Sequence, residues 1–183
     1  MRTVLLLTAL ALAATCRAQS ADDFAAARAA LRAGDTAAAA AAVDRLLAAK
    51  PSDERARFLK GVLLSEQGRT GEAFDVFFAL TQDHPELAEP YNNIAVIYAG
   101  RGEYERAREA LEAAIRANPE YATAYENLGD VHARLAARAY GKAIELDPAN
   151  RSARAKLALA RELPGAVPKP AVSAPPKPPA APR

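Results

Sequence analysis

Residues 88–119 read AEPYNNIAVIYAGRGEYERAREALEAAIRANP. Gly102 separates Tyr91, Ile94, Ala95 and Tyr98 from Tyr104, Ala107, Leu111 and Ala114, and Pro119 closes the stretch. Prolines at 51, 85 and 119 recur at intervals of 34 residues, and the next, Pro148, follows after 29. A shift of one period back meets Lys60, Gly61, Leu64, Gly68, Ala73, Phe77, Leu80 and Pro85. A second shift meets Ala26, Ala27, Ala30, Gly34, Ala39, Val43, Leu46 and Pro51, a copy that has lost its bulky side chains. Downstream, Tyr125, Leu128, Gly129 and His132, then Ala136, Tyr140, Ala143 and Pro148, make a shortened fourth copy. Self-similarity at such a period marks units that each leave an apolar face for a neighbour to cover.

The period and the residues in phase with it resemble the tetratricopeptide repeat family across Ala21 to Pro148. The resemblance implies an all-α fold, a TPR-like right-handed superhelix of antiparallel helix pairs closed by a C-terminal capping helix. The units fall at about 20–51, 54–85, 88–119 and 122–148, with the cap at 150–162, inside a repeat domain over 21–162. Gly34, Gly68 and Gly102 take the turn inside each pair, where a positive φ is needed. Gly61, Ala95 and Gly129, with Ala73 and Ala107, are expected to let helix backbones approach closely. Each proline ends a unit where its missing N–H costs the following helix nothing.

The fourth unit lacks five residues at the place of its turn glycine. Residues 133–139 are good helix formers, and Tyr125, Leu128, His132, Leu135, Ala139, Ala143 and Leu146 trace an apolar stripe at spacings of 3 and 4. The sequence therefore predicts that both helices fuse into one of about 23–27 residues ending before Pro148, a cramped turn near Leu135 to Ala137 being the other reading. Beyond it, 150–162 reads as an amphipathic helix with Leu157 and Leu163 as its contacts. Its polar face carries Arg151, Arg154, Lys156 and Arg161, as a terminal cap requires.

The ends differ in composition from this body. Arg2, the apolar run Val4–Ala14 and the small residues before Gln19 read as a secretory leader, residues 1–18, cleaved after Ala18. The run is too short to span a bilayer, so no membrane span is expected after cleavage. Lipoprotein processing at Cys16 is the weaker reading, because Thr15 precedes the cysteine. The mature chain is thus expected to be periplasmic or secreted, and free of cysteine. Residues 164–183 hold eight prolines with alanine and scattered lysine, a composition that builds no core and favours extended polyproline II. A semi-rigid spacer is the plainer reading of that tail, and docking in an aromatic groove the other.

Composition excludes several functions. The 183 residues include no tryptophan, one cysteine and two histidines, so neither a disulfide framework nor a conventional structural zinc site can form. Loss of Arg2 and Arg17 with the leader leaves the mature chain formally neutral, and the basic tail leaves the body about three units negative. Nucleic acid is therefore not an expected partner. His132 stands where a packing tyrosine is usual, so burial between helices is expected of it. His84 precedes a boundary proline and is read as an exposed turn residue. The glycines match no phosphate-binding motif, and no cofactor, metal site or catalytic constellation is expected; the chain reads as a binding protein, not an enzyme.

In the resembled family the first helix of each pair lines a concave groove that holds a protein or peptide segment. Position by position, the resemblance carries this role to Phe24, Arg28 and Arg32, then Phe58, Val62 and Ser65, in the first two units. It continues with Asn92, Asn93 and Val96, then Glu126, Asn127 and Asp130. Asn93 and Asn127 stand 34 residues apart, and their amides could donate to and accept from an extended peptide backbone. The lysine with which some members clamp a terminal carboxylate is replaced here by phenylalanine, asparagine or glutamate. A polar–apolar peptide is the expected ligand.

Overall fold

Gly34, Gly68 and Gly102 adopt φ of 72°, 74° and 76°, and each reverses the chain between two helices. In the computed structural model, which describes residues 21–163, every regular element is helical. The leader read at 1–18 and the proline-rich segment 164–183 lie outside the described residues. In chain order the helices are α1 (21–33), α2 (Thr36–Ala49), α3 (Glu54–Glu66) and α4 (Thr70–Asp83), then α5 (Ala88–Gly100), α6 (Tyr104–Ala117), α7 (Ala122–Leu146) and α8 (Arg151–Glu162). Local chemistry fixes several starts. The Asp53 carboxylate accepts from the backbone N–H groups of Arg55 and Ala56 at 3.1 Å each, Asp35 caps α2 through Ala38 at 2.9 Å, and Asn150 caps α8 through Ala153 at 2.9 Å.

The chain divides into two compact units, with the boundary between Val76 and Phe77 inside α4. In the first, Leu31, Val43, Leu46, Phe58, Leu59 and Val62 are buried among small residues such as Ala27, Ala39 and Ala56. Arg45 on α2 reaches Asp23 on α1 with Nε at 2.8 Å and Nη2 at 2.7 Å. In the second, Ala95, Ala107, Leu111, Ala114, Ala124 and Val131 form a fully buried seam through α5, α6 and α7, flanked by Tyr91, Tyr98 and Tyr104. Alanine at the crossing positions brings these helices close, and the tyrosines supply the bulk that the seam lacks. Among the described residues the chain is an all-α array of packed neighbouring helices.

Residues 122–146 form one uninterrupted helix of 25 residues. A Cβ added to Gly141 in its second half would meet nothing within 4 Å. Gly141→Ala is therefore expected to stabilise the chain by up to about 1 kcal/mol, read as a raised midpoint in urea denaturation.

The face that α7 buries differs from the stripe its sequence suggests. Ala124, Asn127 and Val131 are the buried line, with Leu128 and Leu135 half-buried beside it. Tyr125 is 51% exposed and Leu146 77%, while His132 and Ala139 also face water. Gly129 has open space where its Cβ would stand. The expected burial of His132 and the expected close packing at Gly129 are thus corrected. Both follow from the fusion. One unit earlier, the equivalents of Tyr125, Gly129 and His132 are Tyr91, Ala95 and Tyr98, which pack in the seam of α5 and α6. In α7 the second half runs straight on and cannot fold back over the first. The cap helix departs from expectation too, since Ala153 is its buried residue, Leu157 is half-buried and Leu163 remains 53% exposed.

Candidate functional site

The first helix of each pair carries the residues assigned to the groove. On α1, Phe24 and Arg28 are half-buried and Arg32 is exposed. The Arg55 guanidinium of α3 lies 4.3 Å from the centre of the Phe24 ring, a cation–π contact that ties α3 to α1. Phe58 is completely buried and Val62 nearly so, so both act as core in the isolated chain. The Ser65 hydroxyl, half-buried, donates to the Gly61 carbonyl at 3.1 Å inside its own helix.

In the second unit, Asn92, Asn93 and Asn127 are all buried. The Asn127 amide nitrogen donates to the Asn92 side-chain oxygen at 2.7 Å, binding α7 to α5. The contact joins residues 35 apart in sequence rather than the 34-residue pair Asn93 and Asn127. Val96 and Asp130 are half-buried and Glu126 is exposed. Val96 lies one turn beyond Asn92 on α5, and Asp130 one turn beyond Glu126 on α7, so these side chains rise from the faces that flank the amide pair.

Sequence reasoning passed over three residues, the first of which holds these helices in place. Arg138 of α7 donates to the Gly102 carbonyl at 2.9 Å, meets Glu105 at 3.3 Å and covers the Tyr104 ring at 5.2 Å. It thereby fastens the turn between α5 and α6. Glu89, in the first turn of α5, and Tyr121, just before α7, are the other two. Burial raises the Glu89 carboxyl above its ordinary range. Burial first, and then the Glu89 charge, push the Tyr121 hydroxyl up as well. A single glutamate in the first turn of a helix gives no sequence signal that it will be covered.

The folded chain holds the Glu89 proton more tightly than the unfolded chain does. Its contribution therefore favours folding at low pH and is lost as pH rises from about 4.5 through the raised folded value. Glu89→Gln is expected to raise Tm at pH 7 and to flatten the decline of Tm over that window. Thermal melts followed by circular dichroism at successive pH values check it.

Among the described residues no group of three histidine, cysteine, aspartate or glutamate side chains could hold a metal ion. No helix among them is long and apolar enough to cross a membrane.

Two family models match the chain, one described as tetratricopeptide repeat over residues 24–88 and one as TPR repeat over residues 97–135. A curated relative, the chloroplastic tetratricopeptide repeat domain-containing protein PYG7 of Arabidopsis thaliana, is 32% identical over 77 residues, 39% of this chain. The chain spans about a quarter of that relative's length, the matched part being 26% of it. Among solved structures, MamA is similar with a TM-score of 0.53 and 24% identity, covering 79% of this chain and 81% of MamA. Naa15/Naa10 bound to HypK-THB is similar with a TM-score of 0.57 and 19% identity, covering 80% of this chain and 23% of the other. At these identities the two structures speak for the fold.

Proposed function

Because the chain belongs to the tetratricopeptide repeat family, we propose that it is an exported scaffold holding a protein or peptide segment along the first helices of its units. Repeats of this family commonly mediate protein–protein interaction and are typically not enzymes. Export rests on the leader read in residues 1–18, and the bacterial cell envelope, in assembly or maintenance, is the setting implied by the resemblance to short exported bacterial members of the family.

The observation that carries the reading is the bond between Asn127 and Asn92. It holds α5 beside α7, which supports a surface that includes Val96, Glu126 and Asp130. A surface of this kind suits a segment with an apolar side chain for Val96 and a basic one for the two carboxylates. Asn92 and Asn127, bonded to each other and buried, align the two helices that present this surface. In the first unit, Phe24 under Arg55, with Arg28 beside it, offers a mixed aromatic and cationic patch.

Affinity capture from an envelope extract tests the proposal, comparing the wild type with Val96→Glu and with Glu126→Lys/Asp130→Lys. All are substitutions outside the buried seam. Loss of the same captured segment in both variants, with helicity unchanged, is the expected result. Equal capture by all three proteins overturns it.

A further inference from the structure

The last helix closes the array incompletely. Along α8, Ala153 is buried and Leu157 and Ala160 are half-buried, whereas Leu159 is 65% exposed and Leu163 53%. Both exposed leucines line a groove of about 420 Å³, whose other wall is Ala133, Ala136 and Tyr140 of α7. The groove is apolar on both sides, and Tyr140 brings an aromatic ring to it, with Lys156 lying 5.8 Å from the ring centre. Leu163 is also the residue at which α8 stops. It leaves the helix at φ −61° and ψ 118°, the extended conformation that a following proline favours.

The chain continues from that residue as PGAVPKPAV, residues 164–172. We propose that residues 166–170 of this proline-rich segment lie back in the groove between α7 and α8 and complete the cap. Pro164 and Gly165 are the central pair that a type II turn calls for, proline at its second position and glycine at its third, where φ is positive. Such a turn sends the chain back along the helix it has just left, starting from Leu163, itself a wall of the groove. The lengths agree. Lys156 to Leu163 spans roughly 10 Å at about 1.5 Å per helical residue. About three or four residues of polyproline II cover that span, at about 3.1 Å each. Val167 falls within this reach, and it and Val172 are the bulky aliphatic side chains of a segment otherwise made of small, basic and proline residues. Pro168 and Pro170 have no N–H to strand against an apolar wall, and proline-rich segments bind on aromatic surfaces of the kind that Tyr140 supplies. A segment tethered by a single turn also meets the groove at high effective concentration, ahead of partners in solution.

Hydrogen exchange on the full chain tests the docking, because Val167 lies outside the described helices and can influence α8 only by reaching it. Val167→Asp is expected to speed exchange of the amides of residues 157–163 severalfold and to lower Tm, with helicity preserved. Ala180→Asp, the same charge placed farther along the tail, is expected to leave both at the wild-type level. Leu159→Asp alters an exposed wall of the groove, and in that background Val167→Asp is expected to add nothing. Unchanged exchange in Val167→Asp overturns the proposal. An equal effect from Ala180→Asp overturns it too, as does an undiminished effect of Val167→Asp beside Leu159→Asp. Light scattering on the same samples is expected to give a single chain mass. A dimer whose α8 protection ignores Val167→Asp gives the groove to a second copy and overturns the docking.

Discussion

Leu111→Ala lowers the stability of the chain by about 2–5 kcal/mol, a large loss for a single truncation. Leu111 is fully buried in the seam shared by α5, α6 and α7. Its neighbours across that seam are mostly alanines, which have no longer rotamer with which to fill a cavity. The lost contacts are therefore not recovered by repacking, which places the cost toward the upper part of the range. Domain stabilities are commonly about 5–15 kcal/mol, so the variant is left near its unfolding threshold. Urea denaturation gives the size of the loss. Hydrogen exchange gives its location, with amide protection expected to fall most in α5, α6 and α7, because a helix in a stacked array depends on its immediate neighbours. A change below about 1 kcal/mol, smaller than the transfer term for the deleted atoms alone, would remove Leu111 from the seam.

The 34-residue spacing made this seam readable in advance, since periodicity records which positions face a neighbour whatever that neighbour is. Gly34, Gly68 and Gly102 were legible for a local reason, because a turn that needs positive φ excludes nearly every other residue. The run of helix formers at 133–139, lacking glycine and proline, likewise foretold an unbroken α7. What the sequence could not show was the consequence of that continuity. Tyr125, Gly129 and His132 keep the pattern of a buried face, yet the element that buries such a face was lost with the turn. A pattern reports the partner a position is built for, and tertiary connectivity decides whether the partner arrives. The groove was legible as a set of helices more than as a set of side chains. Phe58 and Val62 occupy groove positions by phase, but large apolar groups at the edge of a small core are drawn into it. Arg55, Arg138, Glu89 and Tyr121 escaped notice because each acts across a helix boundary, and no short spacing encodes that.

The second large effect is expected at the amide pair. Asn127→Leu removes the donor from the Asn92 side-chain oxygen, which is otherwise bonded at 2.7 Å in a fully buried setting. An acceptor stranded there loses its hydration without compensation, at a cost of about 1–3 kcal/mol. Asn92→Leu does the same to the Asn127 amide nitrogen, and should fall in the same range. The double variant Asn92→Leu/Asn127→Leu strands neither group of this bond, so its loss is expected to be smaller than the sum of the two single losses by about 1 kcal/mol or more. Denaturation of all four proteins measures the coupling, and strict additivity would show that the bond does not hold the helices together. The same cycle separates structure from recognition. If the pair serves to align α5 with α7, the double variant should recover partner capture in proportion to its recovered stability. If the amides themselves grip the peptide backbone, capture stays lost after stability returns.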